Sequence, residues 1–102
     1  MRTNPNDAEP EFIRIPCQGL RAAYPGGIPE LDLYPVVDAL VSLGFSNRNI
    51  ARILGLFYGV SYMEFLHEVA HVYPNRSVSP DDKARVLDRL RPHGYESWRE
   101  LV

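Results

Sequence analysis

The chain is expected to fold as one small, mainly α domain of four to five short helices, with at most one short strand. Apolar residues recur at intervals of three and four through most of residues 33–90, the period of a helix face. Glycine, proline and serine interrupt that pattern often, so each helix must be brief. With 102 residues, 45% of them hydrophobic, the chain can bury one modest core and not two.

Residues 1–11 combine Asn, Asp, Glu and two prolines with almost nothing to bury, so they are expected to form a flexible arm ahead of a single helical domain over 12–102. Phe12, Ile13 and Ile15 are β-prone and end at Pro16, which predicts one short strand there. Tyr24-Pro25-Gly26-Gly27-Ile28-Pro29 is dense in turn formers and breaks the chain. Val36, Val37, Leu40 and Leu43 then mark a helix over Leu33 to Leu43, with Pro35 at its start and Gly44 as its stop. Ser46 is placed to cap a second helix, Asn47 to Leu54, whose Ile50, Ile53 and Leu54 share a face and which Gly55 should end. A third is expected from about Val60 to Tyr73, stopped by Pro74, and a fourth from about Pro80 to Leu90, capped by Ser79 or Ser77. Arg91-Pro92-His93-Gly94 interrupts the chain before a short terminal helix around Tyr95 to Leu101.

Several function classes are disfavoured by composition. Eleven Lys and Arg against 13 Asp and Glu leave a formal charge of -2, so no overall field recruits polyanions. Cys17 stands alone, which excludes an intrachain disulfide and suits a reducing compartment; a lone thiol of this kind is expected to pack rather than react. No apolar run approaches 18 residues, and the N-terminus lacks an apolar leader core, so a soluble, cytoplasmic protein without membrane contact is the expectation.

The stretch "FLHEVAHVY", Phe65 to Tyr73, contains His-Glu-Val-Ala-His. On a helix of about 100° per residue, His67 and His71 lie about 40° apart on one face, a spacing that lets two imidazoles reach a single ion. Tyr62, Phe65, Leu66, Val69, Ala70 and Tyr73 fall on one apolar arc of that helix, and Glu64, His67, Glu68 and His71 on the other. An ordinary amphipathic helix would turn that second arc to water. The motif resembles the zincin-type metallopeptidases, and the resemblance implies zinc on His67 and His71 with Glu68 as the base that takes a proton from metal-bound water.

A catalytic zinc usually takes three protein ligands. His93, Gly94 and Trp98 in "RPHGYESWREL" resemble the third-ligand segment of SprT-like peptidases, which would make His93 the third ligand; Glu96 is the substitute, as in the gluzincin branch. Pro74 and Ser77 stand where the metzincin pattern has glycine and histidine, so that branch is set aside. The edge strand that zincins place above the active-site helix has no counterpart among the helices expected over residues 35–55.

Residues 44–56, "GFSNRNIARILGL", resemble the first helix and turn of helix-turn-helix domains through Ala51, Gly55, Ile50, Leu54 and Leu56. No Lys or Arg lies between Ile53 and Asn75, however, and Glu64 and Glu68 would repel phosphate. "LVSLGFS", Leu40 to Ser46, resembles the helix-loop-helix entry of ubiquitin-associated-type domains, which bind protein partners. Phe57, Tyr58, Tyr62 and Phe65 crowd four aromatics into nine residues, enough for a core with some left over for an interface.

Two expectations follow. One is a zinc-binding, metallopeptidase-like hydrolase domain with ligands His67, His71 and His93 (or Glu96), base Glu68 and a peptide or protein substrate. The other is a non-enzymatic, helix-turn-helix-like module that binds a protein partner, a second copy of itself or DNA through Arg48, Arg52, Phe57, Tyr58 and Tyr62.

Overall fold

The computed structural model describes residues 9–102, and within them every regular element is helical, with no strand. The α-helices are α1 (Glu11–Ala23), α2 (Glu30–Leu43), α3 (Asn47–Tyr58), α4 (Met63–His67) and α5 (Pro80–Leu90). A π-helical turn, Glu68–Val72, and a 3₁₀ turn, Tyr73–Asn75, continue α4, while 3₁₀ segments Arg91–His93 and Tyr95–Leu101 follow α5. Most of the arm expected over residues 1–11 lies outside the described residues. No described helix is long and apolar enough to cross a membrane.

The helical segments outnumber the four to five expected, and the largest single correction is the first of them. Phe12 to Pro16, read as a strand, belongs to α1. Apart from Gly19, the residues that α1 buries, Ile13, Pro16, Cys17, Leu20 and Ala23, are spaced three, one, three and three apart, which is a helical stripe. Pro16 lies inside α1, where it has no N–H to offer the Phe12 carbonyl and its ring crowds that same carbonyl, and the buried stripe outweighs this cost.

The turn formers at 24–29 break the chain as expected, and α2 begins at Glu30, three residues earlier than the apolar spacing indicated, so Pro35 sits inside it. Gly44 closes α2 with φ 102°, and Phe45 drops into the core before the Ser46 hydroxyl accepts the Asn49 N–H at 3.2 Å to start α3. Gly55 does not end α3. The helix runs on to Tyr58, and Gly59, at φ 71°, is the left-handed stop. Ser79 is the residue that caps α5, accepting the Asp82 N–H at 3.1 Å.

One core joins these elements. α1 packs against α3 and against the Tyr95–Leu101 segment, and α2 packs against α5. Cys17, Leu20, Val36, Leu40, Ile50, Ile53, Leu54, Val69, Val86 and Leu90 are fully buried. Trp98, 1% exposed, lies against α1 at Gly19, where any Cβ would collide with its ring. Cys17 is one of these packing residues, and burial pushes its thiol pKa up, away from nucleophilic chemistry.

Polar contacts lock the helices in register around α2. Asp32, 5% exposed, accepts the Tyr24 hydroxyl at 3.0 Å and the Arg85 guanidinium at 2.5 Å, tying the end of α1 to α5. Arg89 donates from Nε to the terminal carbonyl of α1, Ala23, at 2.7 Å, and its guanidinium carbon lies 4.4 Å from the Tyr24 ring centre. Burial, then the hydrogen bond to Asp32, raises the Tyr24 pKa well above the ordinary phenol value. Tyr95 donates to the Ala39 carbonyl at 2.7 Å, two turns further along α2.

Candidate functional site

The histidine motif straddles two helix types. His67 is the last residue of α4, and Glu68 opens the π turn in which the Tyr73 N–H reaches back five residues to the Glu68 carbonyl. Pro74 accounts for the change of pitch. Its ring would press on the Ala70 carbonyl in a continuous α-helix, and it has no N–H to offer there, so the turn before it widens. Asn75 Nδ2 serves the His71 carbonyl instead, at 2.8 Å. The helix expected over Val60 to Tyr73 is therefore a short α-helix, a π turn and a 3₁₀ turn that carries Pro74 within it.

His67 and His71 are both exposed, and their ring centres lie 5.3 Å apart at an interplanar angle of 36°. The two imidazoles thus sit together, as the four-residue spacing indicated. Glu68 is turned inward by comparison. It is half-buried, and its Oε2 accepts the Tyr34 hydroxyl at 2.6 Å. That bond, with some burial, raises the Tyr34 pKa.

His93 and Glu96 lie on the far side of α5 in sequence, each exposed, with Glu96 Oε1 accepting from Arg91 Nε at 3.2 Å. Among the described residues, no group of three or more His, Cys, Asp or Glu is gathered where it could hold a metal ion. Two of the four ligand candidates are adjacent, and the structure gathers no third beside them.

The second candidate face is assembled by α3, the turn after it and α4. Gly55 makes this corner possible: a Cβ there would lie 2.9 Å from the Val60 carbonyl oxygen and 3.0 Å from the Tyr62 backbone nitrogen. The Val60 N–H bonds back to the Gly55 carbonyl at 2.9 Å, and Arg21 from α1 donates to the Leu56 carbonyl at 2.9 Å. Gly55 is therefore the point at which two backbones touch at this corner.

This corner carries a cleft of about 400 Å³ lined by Arg52, Gly55, Leu56, Val60, Tyr62 and Glu9. Tyr58 and Val60, each 40% exposed, and Met63, 59% exposed, leave large apolar side chains uncovered in the turn. Tyr58 stacks on Phe65 at 5.1 Å and meets Phe57 edge-on at 4.9 Å, so three of the four aromatics pack on one another. Arg48 lies against the Tyr62 ring at 5.9 Å, and Arg52 binds the Glu9 carboxylate at 3.0 Å at the rim of the cleft.

Val60, Met63, Glu9 and Tyr34 are the residues of these two sites that sequence reasoning missed. Met63 carried a signal, since it is a large apolar residue off the apolar arc. Tyr34 carried none, because its partner Glu68 is on a different helix and no spacing rule links them. Comparison of the chain with models of protein families, with curated proteins and with solved structures finds no match.

Proposed function

We propose that this chain is a non-enzymatic helical module that binds a protein partner through the α3–α4 corner, and that the bound segment carries an apolar anchor beside an acidic residue. The observation that supports the reading most directly is the occupancy of the rim: Glu9 of the same chain already sets its carboxylate on Arg52 beside an apolar cleft. A partner carboxylate in that place would gain the same charge-assisted bond, while its anchor would cover Val60, Met63 and Tyr58. Arg48 adds a second cation on that flank.

DNA fits this corner less well. The helix that would enter a groove, α4, is five residues long and bears Glu64 exposed. A zinc hydrolase needs three converging ligands and a free base; the described residues bring two histidines together, and Glu68 is engaged by Tyr34.

The test is selection of peptides by display against the folded chain. Selected peptides are expected to place Asp or Glu next to a large apolar residue, and to lose about tenfold or more in affinity when Arg52 or Tyr58 is replaced by alanine. Peptides without that signature, or with affinities indifferent to both substitutions, would remove the proposal.

A further inference from the structure

We infer that Glu9 is an internal competitor for the partner's acidic residue, a latch that holds the α3–α4 corner partly closed until it is displaced. The inference rests on the reading of that corner as a partner site and adds what regulates it.

The latch is placed where the partner's carboxylate has to go. Glu9 Oε2 lies 3.0 Å from Arg52 Nη2, and both residues line the cleft beside Leu56, Val60 and Tyr62. Among the described residues, Arg52 pairs with no other carboxylate. A second carboxylate arriving while Glu9 is in place meets a like charge a few ångströms away and is repelled; once Glu9 leaves, it inherits the charge-assisted bond. Phe12, whose ring centre lies 5.7 Å from Arg52 Cζ, belongs to α1 and steadies the guanidinium in either case.

Glu9 is also built to leave. It precedes Pro10, and a residue before proline is kept out of the helical region, so Glu9 stays outside α1. The Ile13 and Arg14 N–H groups that open the helix bond to the Pro10 carbonyl, at 3.0 and 2.9 Å, and none of the described bonds of that first turn runs to Glu9. Release of Glu9 therefore leaves α1 intact. The pair is weak enough to be displaced: with Arg52 31% and Glu9 32% exposed, water screens it and the closed state is favoured by a small factor. A partner's apparent affinity falls in proportion to the open fraction, so removing the latch is expected to tighten binding by about two- to sixfold.

The experiment compares the full chain with its Glu9→Gln variant, which keeps the shape of the side chain and removes its charge. The probe is a display-selected peptide with one Asp or Glu beside its apolar anchor, and a second peptide in which that acid is the corresponding amide. By calorimetry the variant should bind the acidic peptide about two- to sixfold more tightly than the unaltered chain does, while the amide peptide should bind both alike. In the unaltered chain, saturation with the acidic peptide should lower the heteronuclear NOE of the Glu9 amide, as the freed residue gains motion. Equal affinity of the acidic peptide for both chains, the same gain for the amide peptide, or a Glu9 amide as ordered with peptide as without it would each overturn the latch. If that peptide still loses affinity in Arg52→Ala, the partner reading of the corner survives the loss of the latch. If no peptide with an acid beside an apolar anchor is selected, the partner reading fails and the latch fails with it.

Discussion

Tyr73 shows how a single side chain ties the histidine-bearing segment to the rest of the molecule. Its hydroxyl donates to Asp38 Oδ1 at 2.7 Å, and burial followed by that bond raises its pKa to about 12 from an ordinary 10.0. The neutral phenol is therefore favoured in the folded state. The unfolded chain gives up this proton first, so the stabilisation is complete below pH 10 and is lost as pH rises toward 12. Tyr73→Phe is expected to cost about 1 kcal/mol at neutral pH through the lost hydrogen bond. It should also make the fall in stability between pH 10 and 12 shallower, though still present, because Tyr24 and Tyr95 are raised by burial as well. Urea midpoints measured across that range check both parts; parallel profiles for the two proteins would refute the assignment. Residue-level contacts of this kind were the least legible part of the sequence. That His67 and His71 share a face follows from a spacing of four, whereas Tyr34 on Glu68 and Tyr73 on Asp38 depend on how separate helices dock.

Helix ends, by contrast, were readable where a side chain or a left-handed glycine sets them. Ser46, Ser79 and Gly44 act where the sequence placed them. The failures came from residues with two uses. Phe12, Ile13 and Ile15 suit a strand in isolation, but Ile13, Cys17 and Leu20 lie on one helical stripe that the core can cover, and tertiary burial outweighed local preference. Gly55 looked like a stop and is instead a contact point inside α3. Placing alanine there gains up to about 1 kcal/mol of helix propensity, but it pushes a methyl into the Val60 and Tyr62 backbone, which cannot rotate away. Gly55→Ala is expected to lower stability by about 1 to 2 kcal/mol net and to disturb peptide binding at the corner. Chemical denaturation of the variant decides this, and stability equal to or above that of the unaltered chain would show that the corner has room.

At the scale of the whole chain, a single core means that no stretch is expected to fold alone. Residues from every α-helix except α4 lie in the fully buried set, together with Val69 of the π turn and, 1% exposed, Trp98 of the last segment. Ending the chain after Gly94 removes Tyr95 and Trp98 and uncovers the flank of α1 that includes Gly19. Because losing one buried Trp side chain commonly costs about 3 to 5 kcal/mol, much of the total stability of a domain this size, the shortened chain should lose its cooperative thermal transition. A sharp two-state melt from that fragment would show that the core is sealed elsewhere. The single-core organisation was legible from length and apolar content alone; the role of Trp98 was not, since the glycine that admits it is distant in sequence. Gly19 and Trp98 come from opposite ends of the described chain, and their meeting also sets an order of events during synthesis. Until residue 98 has cleared the ribosomal exit tunnel, the groove beside Gly19 stays open and the apolar stripe of α1 is incompletely covered. The apolar stripe of α1 is therefore closed only by a segment that is synthesised well after it.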